Sequence, residues 1–267
     1  MRGRTLVMGI LNITPDSFYA GSRKRGTAEA LDSALEMETA GADIIDIGGE
    51  STRPGSDFVG AEEEIARVVP VISAIRERTA IPISVDTRKA AVAEAALSAG
   101  ADMVNDVAAL RDDPGLADVV RKRGVPVVLM HMRGTPKTMQ ENPEYADPVR
   151  EITEELRSLV QNALSLGIWE ERIIVDPGIG FGKRLSDNLA ILRNLDLLAE
   201  LGLPVLVGLS RKSFIGGILD KPAEERLWGT LAANSAAVMK GAAILRVHDV
   251  AATADLVKVL HAIRGGG

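Results

Sequence analysis

A single α/β domain folded as a (β/α)8 barrel of the TIM type, with long loops after strands 1 and 2, is the fold this sequence predicts, on three observations. Eight short β-branched runs recur along the chain, eight amphipathic stretches separate them, and three of the stretches end in the same glycine punctuation. The runs fall at 5–10, 43–47, 82–86, 102–105, 126–130, 172–176, 204–209 and 243–247. Apart from their polar ends they are continuously apolar, as parallel strands covered on both faces should be. The helical stretches fall at 27–40, 62–78, 88–99, 113–123, 147–166, 186–200, 224–240 and 250–264. The second opens on Glu62, Glu63 and Glu64, which suit the positive end of a helix dipole. Ile65, Val68, Val69 and Ile72 then form one apolar stripe, and Pro70 predicts a kink within it. Gly41, Gly100 and Gly241 follow the first, third and seventh stretches, where a left-handed residue caps a helix before the next strand. Eight evenly spaced units favour the barrel over a doubly wound open sheet. The chain reads as one domain over 1–267, with Gly265, Gly266 and Gly267 a frayed end.

Composition narrows the function classes. The chain has 267 residues, 46% of them hydrophobic, enough for a sizeable core. Its net charge of −6 argues against binding a phosphate backbone, and 3% aromatics against stacking on bases, so no nucleic-acid partner is expected. With no cysteine there is no disulfide framework, thiolate metal site or cysteine nucleophile. Pro15 and Asp16 interrupt the N-terminal apolar stretch, which makes a poor signal peptide, and no run approaches the ~18 apolar residues of a membrane span. The expectation is a cytoplasmic protein acting on small molecules.

Polar residues gather at the ends of the predicted strands. Asp46, Asp86, Asn105 with Asp106, His131, Asp176, the trio Ser210, Arg211 and Lys212, and Arg246 with His248 all end or follow apolar runs. One such acid usually caps a helix, but in a parallel barrel these ends converge on the rim where sites are built. The loops beginning at Asn12 and at Gly48 are polar and rich in turn residues, and are candidates for mobile lids.

The wording of these junctions is distinctive. MGILNITPDSF, DIIDIGGESTRPGS, ISVDTRK, MVNDV, LMHMRGTPKTMQ, VDPGIGFGK, VGLSRKSFIG and ILRVHDV occur in order across nearly the whole chain. Together they resemble the dihydropteroate synthase family. The resemblance implies a transferase of folate biosynthesis that joins 6-hydroxymethyl-7,8-dihydropterin diphosphate to 4-aminobenzoate, giving 7,8-dihydropteroate and pyrophosphate, with Mg²⁺ required. It also implies a homodimer.

Residue by residue, the resemblance gives the pterin to Asp86, Asn105, Asp176, Lys212 and Arg246. One carboxylate, that of Asp176, suits the paired 2-amino and N3–H donors of a pterin, and the Asn105 amide suits its mixed edge. The diphosphate falls to Thr52, Arg53, Arg246 and His248, since a guanidinium fork matches phosphate oxygens and also stacks on a flat ring. Aminobenzoate falls to Thr52, Pro54, Phe181, Lys212 and Ser213, with Phe18 adding apolar surface. Asn12 matches the metal position, in keeping with the few protein ligands Mg²⁺ takes. Asp86, Lys212, Arg246 and His248 are the expected catalytic residues. Arg211 is equally consistent with an ion pair, His131 matches a family position of unassigned role, and His261 is expected on the surface.

The implied mechanism has the diphosphate leave first, the electron-rich ring carry the cation, and the two lid loops exclude water until the amine attacks. The first loop departs from the family pattern, with Tyr19 and Ala20 where many members have Ser and Asp. That change admits a pterin-binding paralogue without catalysis. A pterin-dependent methyltransferase domain is the other alternative, disfavoured by the SRKSF, STRPG and RVHD segments.

Overall fold

The computed structural model describes residues 4–13, 23–51, 56, 58–135, 137–141 and 143–265. Strands and helices alternate: β1 (Leu6–Asn12), α1 (Arg23–Thr39), β2 (Ile44–Gly48), α2 (Ala61–Arg76), β3 (Ile83–Asp86), α3 (Ala90–Ser98), β4 (Met103–Asp106) and α4 (Gly115–Arg123) form the first half. The second half comprises β5 (Val127–Met130), α5 (Pro148–Ser165), β6 (Ile173–Asp176), α6 (Leu185–Arg193), β7 (Leu206–Val207), α7 (Ser213–Leu219), α8 (Leu227–Met239), β8 (Ile244–Val247) and α9 (Val250–Ile263). All pairings are parallel, in the order β6-β5-β4-β3-β2-β1-β8-β7, and a bridge between Val175 and Val205 joins the two ends into a nearly closed barrel.

Two expectations change, at β7 and just before it. The run at 204–209 yields a strand of two residues, because Pro204 has no N–H to give and Val205 meets β6 in that one bridge. The stretch at 186–200 divides at Asn194 into α6 and a 3₁₀ turn, while a short helix, α7, begins at Ser213 as expected, ahead of α8. The three glycine caps fall as expected, with φ of 99° at Gly41, 114° at Gly100 and 94° at Gly241. In α2 the buried face holds Val68, Val71, Ile72 and Ile75, with Ile65 and Val69 half-buried and Pro70 on the solvent side. Glu64 departs from its expected role at the helix dipole. It is fully buried and bonded at 2.5 Å by Lys89, which also reaches Glu50 at 2.7 Å.

The barrel interior explains where polar groups emerge. Met8, Ile44, Met103, Val128, Ile174, Leu206 and Ile244 fill its lower layer. Side chains on a strand return to the same face every second residue. Asp46, Asn105, Asp176 and Arg246 each lie two positions beyond one of these apolar residues, so they rise from the same interior at the C-terminal rim. Asp86 joins them two positions beyond the buried Ser84.

Outside the barrel, Asp113 caps two helices at once: Oδ2 accepts from Ala90 at the start of α3 (2.7 Å) and Oδ1 from Gly115 at the start of α4 (2.9 Å). Asp113→Ala is expected to cost about 1–2 kcal/mol in urea denaturation without changing turnover. A loss below a few tenths of a kcal/mol would show that water replaces both caps.

Candidate active site

At the rim, Arg246 is clamped between two carboxylates. Its Nε meets Asp46 Oδ2 at 2.5 Å and its Nη2 meets Asp86 Oδ2 at 2.7 Å. Asn105 Nδ2 donates to the same Asp46 oxygen at 3.2 Å. Asp46 is wholly buried and its Oδ1 has no partner, so it holds its neighbours rather than a solvent-borne ligand. Burial pushes Asp86 up to about 7, with Arg246 opposing and Asp46, Glu64 and Asp106 adding to the rise. Burial would lower Arg246, but Asp46 and Asp86 outweigh it and hold the guanidinium above its ordinary value.

The β6 end builds the second half of the site. Asp176 Oδ1 accepts from Gly178 N–H at 2.7 Å, and burial raises its carboxyl against the pull of Lys212. Lys212, just ahead of α7, donates to the Ile179 carbonyl and lies 4.6 Å from the centre of the Phe181 ring. Burial pushes it down to about 8, Asp176 opposing and Arg246 reinforcing. Gly178 has a φ of 66°, and a Cβ there would fall 2.0 Å from the His131 carbonyl oxygen. That position of the turn is therefore closed to any side chain.

The remaining expected residues separate into groups. His248 turns toward Ser210, its N–H at 3.2 Å and its Nδ1 at 3.0 Å from that hydroxyl. Ser213 opens α7 and is exposed. Arg211 is engaged in an ion pair with Asp249 (Nε 3.0 Å, Nη2 2.6 Å), the structural alternative. His261 is half-buried on α9. Asn12 ends β1 opposite Gly48, and its Oδ1 lies with Asp86 Oδ2 over that glycine, 3.7 and 3.8 Å from where a Cβ would stand. Among the described residues no three His, Asp or Glu side chains cluster as a metal cage. Asp86 Oδ2 is taken by Arg246, which leaves the Asn12 amide oxygen as the group that suits Mg²⁺, an ion that keeps waters and takes ligand phosphates. Thr52, Arg53 and Pro54, like Phe18, Tyr19 and Ala20, lie outside the described residues.

Two features escape a reading of the sequence, and a third, Asp46, is legible there only as one of the rim residues. Asp46 emerges as the residue that organises Arg246 and Asn105. Glu50, beside Ser51, gathers Lys89 at 2.7 Å, Arg88 at 3.1 Å and the Val59 N–H at 3.1 Å, bracing the base of the second loop. Lys183, in the glycine-rich VDPGIGFGK segment, is buried beneath that turn. Only its place directly after the glycine-rich run that ends at Gly182 hints at a side chain drawn under the turn.

Comparison with known proteins bears on this arrangement. The family model described as pterin binding enzyme matches residues 8–248. A curated dihydropteroate synthase from Synechocystis is 49% identical over 97% of this chain and 90% of its own length. The dihydropteroate synthase of Xanthomonas albilineans solved with 4-aminobenzoic acid superposes with a TM-score of 0.91 at 48% identity, covering 98% of this chain and 93% of that one. The same organism's enzyme in complex with 7,8-dihydropteroate gives 0.87 at 45% identity, covering 98% and 94%.

Proposed function

The chain belongs to the dihydropteroate synthase family of pterin-binding enzymes, and we propose that its barrel mouth joins 6-hydroxymethyl-7,8-dihydropterin diphosphate to 4-aminobenzoate, as a transferase of folate biosynthesis. The observation that carries the reading is the pair of buried grips at the rim: the Asp46–Arg246–Asp86 clamp with Asn105, and Asp176 beside Lys212 and Phe181.

In this reading the pterin lies across both grips. Asp176 accepts from the 2-amino group and N3–H, Asn105 pairs with the mixed edge, and Asp86 takes a ring donor while steadying Arg246. Lys212 exchanges the Ile179 carbonyl for the pterin carbonyl and borders the aminobenzoate ring with Phe181, Thr52 and Pro54. The Ser213 N–H at the start of α7 receives the aminobenzoate carboxylate. The bond from the exocyclic methylene to the diphosphate oxygen breaks with its electron pair leaving on the diphosphate. Arg246, His248 and Arg53 receive the charge that develops there. The ring carries the cation until the aminobenzoate nitrogen forms the new C–N bond and gives up a proton to solvent. No side chain bonds covalently to either substrate. Held by Asn12 and diphosphate oxygens, Mg²⁺ would supply further neutralisation of the leaving group.

Names of the relatives favour the synthase over a methyltransferase, which has no diphosphate to expel. A homodimer is supported by exposed Trp228, Ile218, Leu219 and Met239 on α7 and α8, where Leu219 packs by Gly229. A cytoplasmic location is part of the same reading. No described helix is long and apolar enough to cross a membrane.

Metal removal tests the diphosphate half. A chelator is expected to lower pyrophosphate release by about 10²-fold, with recovery on adding Mg²⁺, while a pterin lacking the diphosphate binds equally in both conditions. Undiminished release in chelator would remove the metal from the mechanism.

A further inference from the structure

Lys183 carries a charge at the barrel mouth that no step of the reaction uses. Its side chain is 4% exposed and its ammonium meets three acceptors: Phe181 O at 2.9 Å, His131 Nδ1 at 3.0 Å and His131 O at 3.3 Å. An ammonium has three N–H bonds, so all are committed. His131 is fixed as an acceptor from its other side. Its Nε2 lies 2.9 Å from Glu155, and burial pushes the ring down to about 4, so a neutral imidazole donates there and leaves Nδ1 bare.

The turn that Lys183 underlies is held by side chains along its length. Asp176 takes the Gly178 N–H, Asn188 takes the Gly180 N–H at 2.8 Å, Gln140 donates to the Gly180 carbonyl at 2.9 Å, and the Tyr145 hydroxyl to that of Gly182 at 3.0 Å. Lys183 completes the set at Phe181, the one residue of the turn whose ring faces Lys212.

We propose that Lys183 is a positioning residue, stapling the Phe181 peptide to the end of β5 so that the Phe181 ring stands against Lys212 and sets the site's affinity for 4-aminobenzoate. The proposal rests on the reading of Phe181 as a wall of the aminobenzoate pocket. The groups facing Lys183 are His131 after β5, Asp176 at the end of β6, Lys212 ahead of α7, Glu155 on α5 and Arg133 in the β5–α5 loop. Burial pushes Lys183 down to about 7, Asp176 opposing and Lys212 reinforcing. As pH rises past that point, the neutral amine keeps two N–H bonds for three acceptors, so one of the three contacts is given up. The staple loosens on the alkaline side.

A double-mutant cycle on the full chain tests this, with pyrophosphate release measured against aminobenzoate at saturating dihydropterin diphosphate. K183M is expected to raise the aminobenzoate KM about tenfold while kcat changes less than about threefold. In an F181A background the same change adds less than about twofold, because the staple has nothing left to position. The parent's aminobenzoate KM rises first as pH climbs through about 7 and again through about 8, and in K183M the first rise is lost while the second, set by Lys212, stays. If K183M does not fold, K183Q, which keeps two N–H donors without charge, enters the same cycle under the same criteria. Additive effects in the cycle, or an unchanged KM in an active enzyme, overturn this role alone. A parent that releases no pyrophosphate from the two substrates overturns the proposed function and this role with it.

Discussion

D86N is expected to lower kcat/KM by about 10²–10³ while leaving the barrel at least as stable as the parent at neutral pH. Both effects have one origin. Burial raises Asp86 to about 7 although Arg246 stands 2.7 Å away, so ionising this carboxyl inside the fold is unfavourable. Its folded value lies above the 3.8 of an ordinary aspartate. Between those two values the folded chain binds more protons than the unfolded one, so Asp86 makes stability fall as pH rises through the window. Activity runs the other way, because the ionised carboxylate is what grips Arg246 and the pterin donor. The parent therefore loses kcat/KM as pH drops below about 7, while its urea midpoint gains from the same proton. D86N removes the Asp86 contribution from both slopes. Near-parent turnover in D86N would take this residue out of the mechanism.

Gly178→Ala is expected to destabilise the fold by about 3 kcal/mol and to abolish turnover in what still folds. A Cβ there would sit 2.0 Å from His131 O and 3.3 Å from Lys183 Nζ, on a residue with φ of 66°. The obstacle is backbone, which no rotamer change relieves, and moving it displaces the Asp176–Gly178 bond and the Phe181 turn together. Gly124→Ala is the control. It shares the left-handed conformation, with φ of 64°, but has nothing within 4 Å of the added carbon. It should cost only about 1 kcal/mol and leave kinetics alone. Equal urea midpoints for the two variants would refute the close-packing account of the turn.

The alternation of elements is legible in the sequence because parallel strands buried on both faces announce themselves as apolar runs. The rim is legible for the same reason, since a polar residue ending such a run has few other places to go. What fails to show is pairing across long separations. Glu64 reads as one of three acids at a helix start, yet its partner Lys89 lies 25 positions on. Arg246 reads as a phosphate clamp, and only the closed barrel brings it onto Asp46, 200 positions upstream. A short helix is expected to begin at Ser213, as α7 does, but SFIGGIL, with Gly216 and Gly217 at its centre, has no amphipathic period to give its extent. Lys183 is missed because a lysine in a glycine-rich turn reads as solvent-facing, and its burial depends on His131 arriving from β5. The expectations for Thr52, Arg53 and Pro54 rest on the family resemblance and fall outside the described residues.

The most direct test of the catalytic assignment is product formation by the purified chain. Given dihydropterin diphosphate, 4-aminobenzoate and Mg²⁺, the account predicts 7,8-dihydropteroate and pyrophosphate appearing in equal amounts, and neither with one substrate withheld. Binding of the pterin substrate without formation of either product would contradict it, and would make this barrel a pterin-binding protein rather than a synthase.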